Sequence, residues 1–356
     1  MNLLERLAID LPIIQAPMAG TSTPAMAAAV ANAGGLGSIG VGSSDAAGAR
    51  KMIAAVRERL SAPARGSLNV NVFCHAPARP DAAVEAAWVA RLAPTFARFG
   101  AHPPAALREI YLSFVADDAM LALFVEAKPR VVSFHFGLPP ADRVAALRDA
   151  GIALLGSATN LADARALVDG GVHAVVAQGY EAGGHRGVFD PDADDDQLGT
   201  MALTRILARE LPVPVIAAGG IMDGAGIAAA LRLGASAAQL GTAFVATSES
   251  DADAGYRRAL ASDAAHHTVM TRAISGRPAR CLANRFTAMG AAVAARDVPS
   301  YPIAYDAGKA LNGAAKAAGE SGYGAQWAGQ GAPLARAMPA AELVLRLKEE
   351  LNAAAR

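Results

Sequence analysis

The sequence predicts an α/β fold: a (β/α)8 barrel of the TIM type with an additional, mostly helical cap region. Three observations lead there. Short apolar runs recur along the first 250 residues, each followed by a glycine or polar turn and then an alanine-rich helical stretch. Strands buried on both faces of a parallel sheet read as such unbroken apolar runs. Eight runs of this kind, mostly separated by helices, suit a closed barrel, with a doubly wound open sheet as the alternative. After Phe244 the strand pattern stops, and residues 250–335 are polar, glycine-rich and too long for a plain loop.

The elements follow in order. The first strand covers residues 13–18, and a helix over 24–32 has Thr23 as its cap and Pro24 at its first position, where proline's missing N–H is harmless. A second strand spans 36–40, a helix 45–60, and a third strand 68–73 (LNVNVF) ends in Cys74-His75. Residues 80–128 read as a less regular helical insertion. The fourth strand, 130–136 (RVVSFHF), precedes a helix over 141–150, and the fifth, 153–157, precedes one over 161–169. Strands six, seven and eight fall at 174–178, 214–219 and 237–240, and residues 342–355 read as an amphipathic helix. On this reading residues 1–250 form the barrel, with the helical insertion around 80–128, 251–335 fold back as a cap over its mouth, with or without part of 80–128, and 336–356 close the chain.

Composition excludes several classes. Apolar residues make up 53% and charged residues 18% of the 356, which rules out a disordered chain. Lys+Arg and Asp+Glu are equal at 32, so neither nucleic acid nor an anionic membrane is expected as the main partner. Cys74 and Cys281 stand far apart, which disfavours a disulfide scaffold or a cysteine zinc site and suits a reducing, cytoplasmic compartment. Residues 11–44 carry no charge, yet Pro12, Pro17, Pro24, Gln15 and Asn32 break the run, so it reads as buried α/β core and not as a membrane span. The N-terminus lacks the basic segment and cleavage site of a signal peptide. Alanine-rich surface helices fit a monomer and a homodimer equally.

A barrel presents its chemistry at the C-terminal ends of its strands. Gly219-Gly220 after the seventh strand and Gly241-Thr242 after the eighth let backbone N–H groups approach an anion, and these two loops are the usual phosphate site of the fold. The third strand offers Asn71 and His75, the fourth His135, the sixth Gln178 followed by a glycine-rich loop with Gly183 and His185. A histidine in such a loop can serve as a base near neutral pH. His135, closing an apolar strand, reads more readily as a hydrogen-bonded core residue. Tyr301, Tyr305 and Lys309 recur every four residues and share one helical face, with Pro302 starting the helix and Tyr301 at its cap. They suit an anionic group, although two tyrosines packing a lysine stem fit the spacing equally well. The acidic cluster Asp190, Asp192, Asp194, Asp195, Asp196 lacks the glycine turn and terminal Glu of a calcium loop and reads as solvated, so no metal is expected. No G-x-S-x-G elbow occurs, and no G-x-G-x-x-G stands between a strand and a helix.

The segments IQAPMAG (14–20), NVFCH (71–75), SFHFG (133–137), AQGYEAGGHRG (177–187), AAGGI (217–221) and QLGT (239–242) resemble, in order, the nitronate monooxygenases, formerly called 2-nitropropane dioxygenases. SFHFG and the Tyr301/Tyr305/Lys309 spacing are similar to class I members in particular. The resemblance implies an FMN enzyme that oxidises alkyl nitronates, propionate 3-nitronate above all, with O2 to the carbonyl product plus nitrite and nitrate. It implies a detoxifying role, and it implies that the nitronate itself, not NAD(P)H, reduces the flavin. Carried over residue by residue, FMN would be held by Asn71, Gln178, Gly183, Gly220, Gln239, Leu240, Gly241 and Thr242. His185 would be the active-site histidine, with His135, Tyr301, Tyr305 and Lys309 on the substrate side. The alternatives are an NAD(P)H-dependent FMN reductase of quinones or enoyl thioesters on the same barrel, and a non-catalytic flavin-binding protein. An IMP-dehydrogenase-like reading is set aside, because the loop after the sixth strand holds no cysteine.

Overall fold

The computed structural model describes residues 2–62, 64 and 66–354. Its strands are β1 (Ile13–Gln15), β2 (Gly37–Gly40), β3 (Leu68–Phe73), β4 (Val131–His135), β5 (Ala153–Ala158), β6 (Ala174–Gln178), β7 (Gly184–His185), β8 (Val215–Ala218), β9 (Ala237–Leu240), β10 (Thr268–Thr271) and β11 (Ala279–Leu282). Eight of them form one parallel sheet in the order β1-β9-β8-β6-β5-β4-β3-β2. A parallel bridge between Ile14 and Leu36 joins its two ends. There Gln15 N–H donates to Leu36 O and Leu36 N–H to Ile13 O, both at 3.0 Å. The sheet is therefore a barrel, and the open alternative fails.

Inside the barrel, Ile14, Leu36, Leu155, Val176 and Ile216 pack together, joined by Leu3, Leu7 and Ile9 of the N-terminal segment. Outside, each strand's other face meets a helix, which is why these strands read as continuous apolar runs. Helix Pro24–Asn32 starts as its sequence predicts: Thr23 Oγ1 accepts from Met26 N–H at 3.0 Å, with Pro24 in the first turn. It crosses β2 so closely that a Cβ on Gly37 would lie 1.9 Å from Ala27 O. β1 is shorter than its apolar run, and Ala16 to Thr21 become cavity wall.

The stretch read as one insertion, 80–128, divides in two. Helix Asp118–Ala127 buries Met120, Leu123 and Phe124 among Val70, Val132 and Phe134, so it belongs to the barrel. Helix Ala82–Arg98 buries Trp88, Leu92 and Phe96 against Ile274, Phe286, Leu311 and Tyr323, which come from the far end of the chain. A second sheet, β10-β11-β7, is antiparallel and ties the loop after β6 to the C-terminal region. Its register sets His185 opposite Ala279 and Gly184 opposite Arg280. Helix Ala340–Ala354 packs Leu343, Val344 and Leu347 against Met26, Val30 and Ile227 of the barrel's outer layer. It begins two residues before its sequence signal, and residues 355 and 356 of that expected segment lie outside the described residues. Among the described residues no helix is long and apolar enough to cross a membrane.

The Gly37 contact gives a direct test of this packing. Gly37→Ala must displace the Ala27 backbone, which no rotamer change can relieve, and is expected to lower stability by about 3 kcal/mol. The urea midpoint reads it; an unchanged midpoint would show that the helix does not press on β2.

Candidate active site

A cavity of about 400 Å³ opens at the C-terminal ends of the barrel strands, walled on one side by strand ends and on the other by the C-terminal region. Asn71, His135, Gln178, Gly183, His185, Gly220, Gln239, Gly241, Thr242, Tyr301, Tyr305 and Lys309 all line it. Leu240 does not. Its side chain is buried with Ile13, Met26 and Phe244, and its carbonyl accepts from Ala16 N–H at 2.8 Å, because residues alternate faces along a strand. His75 is also outside the wall, buried edge-on behind Tyr301 with ring centroids 5.0 Å apart.

One end of the cavity is built from backbone. Gly219 and Gly220 adopt φ of +120° and +70°, a turn glycine makes without strain. The N–H groups of Gly219, Gly220, Gly241 and Thr242 meet no acceptor among the described residues. Four unpartnered amides on one wall form an anion cradle. Thr242 Oγ1 accepts from Gly329 N–H at 2.9 Å and so also seats the segment that covers this end. Asn71 Nδ2 is held by Ser133 O and Oγ, both at 3.0 Å, leaving Oδ1 as an acceptor that no described residue uses.

The loop after β6 is fixed from several directions. Gln178 Nε2 donates to His185 O at 3.0 Å, and Gln178 Oε1 accepts from Gly187 N–H at 2.7 Å. Gln178 is thus largely engaged by its own loop. Arg186, buried, spans both carboxylate oxygens of Asp195 at 2.8 and 2.9 Å and donates to Gln178 O. Two members of the acidic cluster are therefore ion-paired: Asp195 here, and Asp192 with Arg272 at 2.6 Å. A Cβ on Gly183 would lie 2.4 Å from Gly329 N, so glycine allows this loop to touch the covering segment.

His185 Nε2 lies 2.9 Å from Ser275 Oγ, and Ser275 Oγ lies 3.3 Å from Arg277 O. Nδ1 of His185 has no partner among the described residues. Burial drives its pKa down to about 3, aided by the neighbouring His135, Arg277 and His75. His135, whose Nε2 is 3.1 Å from His185 O, is pushed down to about 4, again chiefly by burial. Both imidazoles are neutral at pH 7. Burial raises the phenols of Tyr301 and Tyr305, so both stay protonated donors.

Tyr301 does not cap the helix that follows. Helix Ile303–Ala317 has Pro302 in the cap position, and Tyr301 precedes it, buried against His185 with ring centroids 5.5 Å apart. Tyr305 and Lys309 lie within the helix. Lys309 Nζ sits 5.0 Å from the Tyr111 ring centre and 5.5 Å from that of Tyr305, a cation–π pairing. Burial lowers its pKa against the opposing pull of Asp306. Tyr111 and Trp327 also line this end, with Ser275 and Arg277 behind it, and sequence reading passed over them. They come from irregular segments without periodicity.

A family model described as nitronate monooxygenase matches residues 2–350. This chain belongs to the nitronate monooxygenase family. It is 66% identical to a nitronate monooxygenase of Paraburkholderia phytofirmans, over 98% of this chain and 94% of the relative. It is 54% identical to one of Pseudomonas aeruginosa, over 97% of each. Among solved structures, a nitroalkane oxidase of Streptomyces ansochromogenes aligns with a TM-score of 0.90 at 40% identity, covering 99% and 98% of the two chains. FabK of Thermotoga maritima aligns at 0.73 with 29% identity, covering 99% and 96%. Nitronate monooxygenases are oxidoreductases, and the barrel mouth is the place for their chemistry.

The depressed histidines give this family member an acid weakness. His75, His135 and His185 stay neutral down to about pH 4, 4 and 3, whereas the unfolded chain protonates them near 6.5. Below pH 6.5 the unfolded state binds protons the folded state refuses, so stability falls until about pH 4. Melting temperature is expected to decline over that range, and less steeply for His135→Gln. Parallel curves for the two proteins would remove His135 from the account.

Proposed function

We propose that this protein is an FMN-dependent nitronate monooxygenase. It oxidises alkyl nitronates, propionate 3-nitronate foremost, with O2 to the carbonyl product plus nitrite or nitrate, and it clears a toxic metabolite from the cytoplasm. The observation that carries this reading is a single cavity with two unlike ends. One is a cradle of unpartnered backbone amides; the other gathers neutral histidines, protonated phenols and an ammonium.

The amide end fits the phosphate of FMN. The N–H groups of Gly219, Gly220, Gly241 and Thr242 supply donors at positive dipole ends, where an anion needs no side-chain cation. Asn71 Oδ1 and the Gln239 side chain would serve polar edges of the ring system, and Gly183 lets its loop close against the segment that covers this end. Leu240 contributes only by placing its neighbours. When bound, FMN would accept electrons from the nitronate and pass them to O2.

At the other end the chain's residues bind and orient. A neutral, buried imidazole can accept a hydrogen bond or take a proton, but a conjugate acid with a pKa of about 3 makes it a weak base. Removing the α-proton of a neutral nitroalkane is therefore demanding: the C–H pair stays on carbon while His185 Nδ1 takes the proton. A substrate that arrives as the nitronate skips that step. Tyr301 and Tyr305 hold phenolic hydrogens for its nitro oxygens, and Lys309 suits a carboxylate one methylene removed from the reacting carbon.

Two measurements test the reading. In anaerobic mixing, propionate 3-nitronate is expected to change the flavin absorbance rapidly while NADH and NADPH leave it nearly unchanged. Rapid bleaching by NAD(P)H with no response to the nitronate would move the chain to the NAD(P)H-dependent FMN reductases. Lys309→Met is expected to raise the Michaelis constant for propionate 3-nitronate on the order of tenfold while sparing ethylnitronate. An unchanged ratio between the two substrates takes Lys309 out of carboxylate recognition.

A further inference from the structure

Arg277 is 4% exposed and forms no ion pair with a described carboxylate. Its Nη2 donates to the carbonyls of Val188 and Phe189, and its Nε meets no partner. The guanidinium carbon lies 4.2 Å from the centre of the Phe136 ring. The charges of Asp190 and Asp192 reach it without contact, and Asp192 is already paired with Arg272 at 2.6 Å. A buried cation with no carboxylate in contact is an expensive arrangement, and holding two carbonyls does not require a charge.

No described carboxylate contacts it; Asp190 and Asp192 act only from beyond hydrogen-bonding range. Phe136, on whose face it rests, has its ring centre 4.5 Å from His135, 5.6 Å from His185 and 5.5 Å from Tyr301. The guanidinium is thus one ring away from three cavity groups, all neutral at pH 7. Of the carboxylates on the cavity wall, Asp253 pairs with Lys316 at 2.6 Å and Asp251 is exposed. Lys309 adds a second positive charge. Across apolar rings, where water does not screen, such a field persists over several ångströms.

We propose that Arg277 is a specificity-determining residue that acts through space: its charge, which no described carboxylate contacts, makes the cavity select small anions of the nitro and nitronate type over neutral nitro compounds. It touches neither reacting atoms nor the cavity wall, so it positions by its field. The identity of the anion rests on the nitronate reading; the charge selectivity does not.

The test is calorimetric titration of the purified holoprotein at pH 6.5 with nitrite, a small anion, and with nitroethane, a neutral nitro compound. Arg277→Gln keeps a donor for the two carbonyls and removes the charge; Arg277→Lys keeps the charge. The Gln variant is expected to bind nitrite about tenfold more weakly while its nitroethane affinity changes less than about twofold, and Lys is expected to restore most of the nitrite affinity. Equal weakening of both ligands would make Arg277 a structural strut and overturn the proposal. So would unchanged nitrite affinity together with a shifted flavin midpoint potential, since the charge would then serve the cofactor. If the Gln variant does not fold, the Lys variant decides: folded protein that has lost nitrite binding refutes a role for charge. Nitrite binding needs no turnover, so a failure to oxidise nitronates would leave this result intact.

Discussion

The site depends on the way one glutamine clamps the backbone around His185. Gln178 ends a barrel strand, and both ends of its amide bond the loop that follows, one to His185 O and one to Gly187 N–H. Backbone polar groups at such depth must find partners, and the clamp provides two of them. Everything else is added to that anchor. The β7–β11 pairing holds the same residues from the opposite side, and the Arg186–Asp195 ion pair fixes the turn beyond. An imidazole held from both walls cannot drift away from the cavity, so its protonation state and direction are properties of the fold.

Burial then decides the electrostatics. Removing water from the histidines makes the uncharged form the stable one, and removing it from the phenols does the same. The cavity end that results has donors and acceptors in plenty, and no described carboxylate is hydrogen-bonded to its rings. The amide cradle at the other end is likewise electropositive, but its positive character comes from dipoles and not from side chains. The cavity thus carries positive potential of two different kinds.

Much of the barrel was legible in the sequence, because strands covered on both faces must be apolar along their whole length. The glycines at 219, 220 and 241 were legible because they fall where strands end. Leu240 was misplaced by a motif that runs through it: QLGT is contiguous in sequence, while a strand turns alternate residues to opposite faces. β7 left no signal, since two residues have no period and the pairing that makes them a strand comes from β11, nearly a hundred positions away. Helix Asp118–Ala127 was merged with its neighbour because both are apolar on one face, and only the tertiary partner separates them. Arg277 looked like any arginine of a polar stretch; burial alone makes it unusual.

The cap's core joins two segments that lie far apart along the chain. Trp88, Leu92 and Phe96 find their partners in Phe286, Leu311 and Tyr323. During synthesis the helix that carries them leaves the ribosome with an exposed aromatic face. That face stays uncovered until the last part of the chain follows, on the order of tens of seconds later at ordinary elongation rates. The barrel is under the same delay, because β1 closes against β9. The nascent chain therefore spends most of its synthesis as a sticky, incomplete object, and its folding yield in the cell is tied to whatever shields hydrophobic surface in that interval.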